Sequence, residues 1–437
     1  MNIIHSREVN PMKHSLKPLT SIIVLFFVLG SLFISVFVES KLSQPVNENI
    51  ISSEIVLLRG EHVLVLNASE NVSSFSVKYV FPPDYLYQVP ILFELVNDTT
   101  AHILKYGIEN DMLPPNKIIN FTLASMEKDE SVTLHFYYWV LVNNHNYSDF
   151  PNDKKIPTVN ELPPETRPWL VSTNVVQTQN ILIKGRARQL QGFDTNLLDF
   201  TKKVAQFTRL HHYLSFLIQL KLGTFRSQDA VTVLLRNGEC PGRSHLGCAL
   251  FRASGVPARV IMVNTHYSFW YQMHFMTEYY FPGYGWISTE THKGITPYEP
   301  KNIIILRICS PEDENNTHTD YFYKKMTHEE YWFWIQNNHV TPYYADLDKG
   351  SKTNMFPEAD ITSDNQTAQT AFTLTQNIFH LYQNTMELNL SGENLSHFNN
   401  ATHYQKEAIN ILQQTQDLTQ YILKMTNALH EYQKIKS

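Results

Sequence analysis

The sequence predicts an α+β chain: an antiparallel β-sandwich, then a mixed core of helices and strands, then a helical hairpin tail. Three observations carry that expectation. Residues 54–142 hold runs rich in β-branched and aromatic residues, with turn residues between them. Residues 195–310 mix helical periodicity with strand runs. Residues 365–435 space apolar side chains by threes and fours. A length of 437 residues suits two to three domains.

Composition narrows the classes of function. Hydrophobic residues make up 43%, enough for real cores, which excludes a mainly disordered chain. Charged residues are 17%, against about 25% in ordinary soluble domains. Thirty-five Lys and Arg against 41 Asp and Glu give a net charge of −6, and no basic stripe stands out, so no nucleic-acid partner is expected. The three cysteines, Cys240, Cys248 and Cys309, are too few for a disulfide scaffold, and no paired CxxC zinc pattern occurs. No metal and no cofactor is expected.

Residues 1–18 read as a cytoplasmic N-terminus and 19–38 as a transmembrane signal-anchor. The latter is a run of twenty uncharged residues, which as a helix is about 30 Å long, the thickness of a hydrocarbon core. Arg7, Lys13 and Lys17 precede it and Glu39 follows, so residues 40–437 are expected outside the cytoplasm, on a single-pass protein of the cell membrane. The competing reading is a signal peptide cleaved after Val38-Glu39-Ser40. Its leader and apolar core are both long for a signal, and it exports the rest of the chain equally. Asn-x-Ser/Thr sequons at Asn67, Asn71, Asn97, Asn120, Asn146, Asn315, Asn365, Asn389, Asn394 and Asn400 agree with export. None falls between residues 149 and 314, as a compact core with a differently selected surface would have it.

The sandwich is placed at 45–145, with strands at 55–58, 63–66, 75–80 and 132–140. A Pro-rich linker follows at 146–168. The mixed domain is placed at 169–310. In it, 195–222 has helical periodicity, Ser227 caps a helix over 229–236, and Asn237-Gly238 stops it. A helix over 240–253 and strands at 260–263, 271–281, 286–290 and 303–308 come next. Residues 311–364 read as an irregular connection. The tail, 365–437, reads as two helices joined near Ser391-Gly392-Glu393. One stripe runs through Phe372, Thr375, Phe379, Tyr382 and Met386, the other through Ile411, Thr415, Leu418, Ile422, Met425, Leu429 and Tyr432. Packing on its own chain is preferred to self-association through the tail.

Chemistry concentrates in 237–259 and 273–291. A turn delivers Cys240 to the first position of a helix that ends at Ser254-Gly255. A thiol there meets unpaired N–H groups and the positive end of the helix dipole, which favour thiolate and suit an oxyanion. Further on, two strands flank Pro282-Gly283-Tyr284-Gly285. Positions 274 and 290 are equidistant from Pro282, so a hairpin centred there sets His274 beside Glu290. Thiol, imidazole and carboxylate make a nucleophile, a base and a group that orients the base. Cys248 and Cys309 read as core fillers, Arg259 as fixing the loop after the helix, and Trp286 as core.

Gly238-x-Cys240, the helix ending Leu250-Phe251-Arg252-Ala253-x-Gly255-Val256-Pro257-Ala258-Arg259, then His274-x-x-x-Glu278-x-Tyr280 and Pro282-Gly283-Tyr284-Gly285-Trp286 together resemble the transglutaminase-like core of the papain-type cysteine enzymes. The resemblance is dense over 225–295 and looser from 160, where Arg167-Pro168-Trp169-Leu170 is similar to a common lead-in. It implies a papain-like fold and a Cys-His-Asp triad that forms a thioester with a carboxamide or peptide carbonyl of a protein or peptide substrate. Carried over, Cys240 is the nucleophile, His274 the base and Glu290 the orienting group, at the position where the family usually has Asp. Met276 stands where the family commonly has an aromatic residue. Hydrolysis by a peptidase or amidase is preferred slightly to lysine crosslinking. The rival expectation is a catalytically inactive surface module that keeps the fold for binding.

Overall fold

A computed structural model describes residues 54–436 except 97–101, 112, 146, 148–149, 194–195, 212–226, 266–273, 316–332 and 344–350. The expected membrane span at 19–38 and the cytoplasmic leader lie outside the described residues. Among the described residues no helix is long and apolar enough to cross a membrane.

Residues 54–143 hold six strands: β1 (Glu54–Ala68), β2 (Phe75–Phe81), β3 (Gln88–Leu95), β4 (Ile103–Asn110), β5 (Lys117–Leu123) and β6 (Ser131–Asn143). β1 and β6 pair antiparallel from Ile55 opposite Asn143 to Asn67 opposite Ser131, and β3 adds to the far side of β6. β2, β5 and β4 make a second antiparallel sheet. Aromatic side chains from both sheets meet between them, with Tyr79 against Phe136 at 5.2 Å and Phe121 against Phe136 at 5.6 Å between ring centroids. Within this layer His62 is fully buried, with Nδ1 2.6 Å from the Tyr79 hydroxyl and Nε2 2.7 Å from the Tyr138 hydroxyl. Burial drives its pKa down to about 3, so the ring is neutral.

The expectation of an irregular connection over 311–364 is corrected. β11 (Phe333–Ile335) adds to β2, while β12 (Val340–Pro342) and β13 (Lys352–Thr362) both pair with β1. β1 is long and its second edge would otherwise leave its peptide groups unpaired. β13 has the alternation of a half-buried strand, with Thr353, Met355, Ala359 and Ile361 buried. Pro357 masks that signal, and it is tolerated because the register shifts beside it, between Leu57 and Leu58 of β1.

The middle of the chain holds α1 (Ile181–Gln191), α2 (Leu197–Arg209), α3 (Ala230–Arg236) and α4 (Cys240–Ala253). A third antiparallel sheet follows, in the order β10 (Ile303–Ile308), β7 (Ala258–Thr265), β8 (His274–Phe281), β9 (Gly285–Thr289). α3 is capped by Asp229, whose side chain accepts from the Thr232 N–H, rather than by Ser227. Ser227 instead donates to Asp229 at 2.6 Å. The sandwich and the third sheet are joined by side chains that imitate strand pairing. Gln88 donates to the Ile305 carbonyl and accepts from its N–H, and Asn116 does the same with Ile308.

The tail is helical as expected but in three helices: α6 (Asn365–Met386), α7 (Gly392–Thr415) and α8 (Leu418–Tyr432), after a short α5 (Pro311–Asn315). Gln416 turns left-handed (φ 55°) and Asp417 caps α8 by accepting from the Gln420 N–H. The stripe from Ile411 to Tyr432 therefore spans a break. The apolar sides are used within the chain: Phe379 stacks on Phe81 at 6.2 Å, and Gln405 donates to the Ile91 carbonyl at 2.6 Å.

Candidate active site

α4 begins where its sequence says it should. Asn237 takes a positive φ of 67° and ends α3, and Glu239 is extended before the first helical turn. Cys240 is the first helical residue and Pro241 the second, where a missing N–H costs nothing. The Cys240 thiol is only partly buried, whereas Cys248 and Cys309 are buried. All three are free. Burial raises the Cys248 thiol to about 12 and the Cys309 thiol well above its ordinary value, as small core residues would behave.

α4 lies on β8. Gly247 allows the approach, since a Cβ there would come within 3.3 Å of Thr277 Oγ1 and of the Thr291 methyl. Thr277 donates to the Ser244 carbonyl at 3.1 Å, tying sheet to helix. This contact brings the start of β8, where His274 sits, to the N-terminal turn of α4.

The β8–β9 hairpin turns at Gly283, which takes φ 82°. Its register differs from the expected one. Thr277 faces Thr289 and Phe281 faces Gly285, so the hairpin is centred one residue later than Pro282. His274 and Glu290 are thus diagonal neighbours rather than direct partners. The pair still forms: His274 Nε2 lies 2.8 Å from Glu290 Oε2 and 3.0 Å from Oε1. The methylene that glutamate has beyond aspartate spans the diagonal. Glu290 Oε1 also accepts the His292 N–H at 2.8 Å.

Burial opposes a charge on His274, but the Glu290 carboxylate and the hydrogen bonds the ring makes with Cys240 and Glu290 outweigh it and raise the imidazole to about 10. Burial likewise opposes the charge on Glu290, and His274 with the His292 N–H holds the carboxyl below its ordinary value. The pair is therefore an imidazolium and a carboxylate at neutral pH. Cys240, His274 and Glu290, singled out from sequence, come together in one place.

Other residues read from sequence stand in supporting positions. Arg259 pairs with Glu278 at 2.7 Å and lies 3.8 Å over the Trp286 ring, so both belong to a buried cluster behind the hairpin. Met276 is fully buried. Sequence reasoning did not find Gln228, Arg243 or His292. Gln228 Oε1 accepts the Glu239 N–H at 2.9 Å and fixes the entry to α4. Arg243 is fully buried, and its Nη2 donates to His292 Nδ1. The one available signal was an arginine in the first turn of the helix that Cys240 begins. Among the described residues no group of three or more His, Cys, Asp or Glu is placed to hold a metal ion.

A family model for the transglutaminase-like superfamily matches residues 184–291. Among solved structures, a candidate cysteine protease from Cytophaga hutchinsonii is similar at 15% identity, with 69% of this chain and 98% of that chain covered and a TM-score of 0.47. The periplasmic domain of TgpA from Pseudomonas aeruginosa is similar at 14% identity, with 55% and 89% covered and a TM-score of 0.26. The search of curated proteins finds no match.

Proposed function

We propose that the transglutaminase-like domain carried by residues 184–291 of this chain is a cysteine enzyme acting on peptide or carboxamide bonds. The observation that supports this reading best is one imidazole engaged on two sides. His274 is held by Glu290 at 2.8 Å and hydrogen-bonded to the Cys240 thiol. With Nε2 given to Glu290, Nδ1 is the ring nitrogen left for the sulfur.

In this mechanism the Cys240 thiolate attacks the carbonyl carbon. The oxyanion is met by N–H groups of the first turn of α4, where Pro241 supplies none and Cys240 and Gly242 can. The His274 imidazolium passes its proton to the leaving nitrogen, the C–N bond breaks, and a thioester remains on Cys240. Neutral His274 then takes a proton from the acceptor as it attacks the thioester, and the thiolate leaves. Glu290 keeps the ring oriented and stabilises its charged form. We take water as the acceptor, which gives a peptidase or amidase acting on a protein or peptide substrate. The test is a Cys240→Ala protein incubated with a peptide mixture. Loss of new amino termini supports the reading, and full cleavage by the variant removes it. Incorporation of a labelled amine without cleavage would reassign the acceptor to an amine.

We also place the enzyme at the cell membrane, anchored through residues 19–38, with residues 40–437 outside. The twenty uncharged residues and the basic leader support this. So do the eight described sequon asparagines, which are all exposed or half-buried. Extraction of membranes at alkaline pH tests the anchor: a protein released to the supernatant would contradict it.

A further inference from the structure

Four arginines are buried among the described residues, and three of them meet carboxylates directly. Arg252 pairs with Glu314 at 2.6 Å, Arg259 with Glu278 at 2.7 Å, and Arg307 with Asp313 at 2.8 Å and with Asp111. Arg243 is different. It is 0% exposed, its Nη2 donates to His292 Nδ1, and its Nε and Nη1 have no hydrogen-bond partner. A guanidinium is always a donor, so His292 Nδ1 must be unprotonated to accept, and the one partner of Arg243 is neutral. A buried cation without an anion costs several kcal/mol, so the surroundings must supply negative charge.

The groups that face this charge come from each element around it. Glu239, Cys240 and His245 belong to the start of α4, His211 follows α2, His274 begins β8, and Glu290 and His292 follow β9. His245 is occupied by the Gln228 carbonyl at 2.7 Å. Burial raises the Glu239 carboxyl while Arg243 lowers it, and Glu290 is committed to His274. The sulfur of Cys240 acts on the Arg243 charge most strongly, ahead of Glu239 and Glu290. Cys240 and Arg243 are three residues apart in the first turn of α4, so they share a helix face with Cβ atoms about 5–6 Å apart.

We propose that Arg243 is a positioning residue: its guanidinium, steered by His292, is the fixed counter-cation of the Cys240 thiolate, which lies between it and the His274 imidazolium. The inference rests on Cys240 being the nucleophile. His274 must give up its proton during each turnover, whereas a guanidinium never does. Arg243 thus keeps the sulfur a good leaving group while the imidazole is neutral.

The experiment follows alkylation of Cys240 by iodoacetamide in the full chain, read by mass spectrometry of the peptide carrying that residue. Arg243→Met should react about tenfold more slowly than the parent at about pH 6 and equally at about pH 9.5, the size expected for one nearby opposite charge. Arg243→Lys should recover most of the loss, which a packing defect would not. A profile for Arg243→Met that superimposes on the parent overturns the proposal. Circular dichroism shows whether Arg243→Met folds. If it does not, the His274→Ala chain decides: with the imidazole gone, Cys240 should still react faster at about pH 6 than free glutathione, and an equal rate overturns the proposal. A parent Cys240 that is inert at every pH would instead remove the nucleophile reading beneath it.

Discussion

Replacing Glu290 by glutamine removes the charge opposite His274 while keeping the side-chain volume. Two unit charges 2.8 Å apart interact with roughly 6 kcal/mol at an effective dielectric of about 20. The rise of His274 from 6.5 to about 10 corresponds to roughly 5 kcal/mol, so the two routes agree in scale. In Glu290→Gln the ring keeps both its burial and its contact with Cys240, and loss of roughly 6 kcal/mol of attraction, about four pH units, brings His274 down from about 10 to its ordinary 6.5 or below. At about pH 8 the imidazolium fraction, and the rate of amide cleavage with it, should then fall by about thirtyfold or more. The signs fix the stability profile. His274 is raised, so its contribution is complete below 6.5 and is lost as pH rises through about 10. Glu290 is lowered, so its contribution is present above 4.5 and is lost as pH falls through its folded value. The melting-temperature deficit of Glu290→Gln should therefore be greatest between 4.5 and 6.5. The assay is an NMR titration of the His274 ring in parent and variant, its signal assigned by disappearance in His274→Asn. A variant ring that still titrates near 10 would refute the argument that Glu290 sets its charge.

Three further outcomes are expected. Iodoacetamide at neutral pH should label Cys240 and spare Cys248 and Cys309, because the latter two are buried; labelling of all three in the folded protein would contradict the packing of α4 and β10. Arg252→Met leaves Glu314 buried without its ion pair and should cost about 3–5 kcal/mol, measured by urea unfolding; an unchanged midpoint would show that the pair is not formed in solution. Phe379→Ala opens a cavity between α6 and β2 and should cost about 3–5 kcal/mol while leaving the sedimentation coefficient unchanged; a change of oligomeric state at constant stability would mean that the tail serves assembly instead.

The parts of the site that could be read from the chain are those that local geometry builds. Helix 240–253 was delimited to the residue, because Pro241 and Ser254-Gly255 mark its ends within a single stretch. The His274–Glu290 pair was legible because the turn at Pro282-Gly283-Tyr284-Gly285 folds two short strands onto each other. Its centre was off by one residue and its pairing therefore by two, since the number of residues in a turn does not by itself say which of them face each other across the strands. The tail's periodic stripes were legible as helix, but the break at Gln416-Asp417 was hidden because neither glycine nor proline marks it.

The sequence alone settled the order of strand-rich, mixed and helical regions and the chemical identity of the thiol, imidazole and carboxylate. Those follow from periods of two and of three to four residues and from side-chain type, which act over a few neighbours. Tertiary structure decided what depends on residues far apart. It brought β13 to the edge of β1, nearly three hundred residues away in the chain, because that edge needed its peptide groups paired. It also set Arg243 against a neutral His292 instead of a carboxylate. No pattern along the chain announces such pairings, because the energy of a buried charge depends on what folding places beside it.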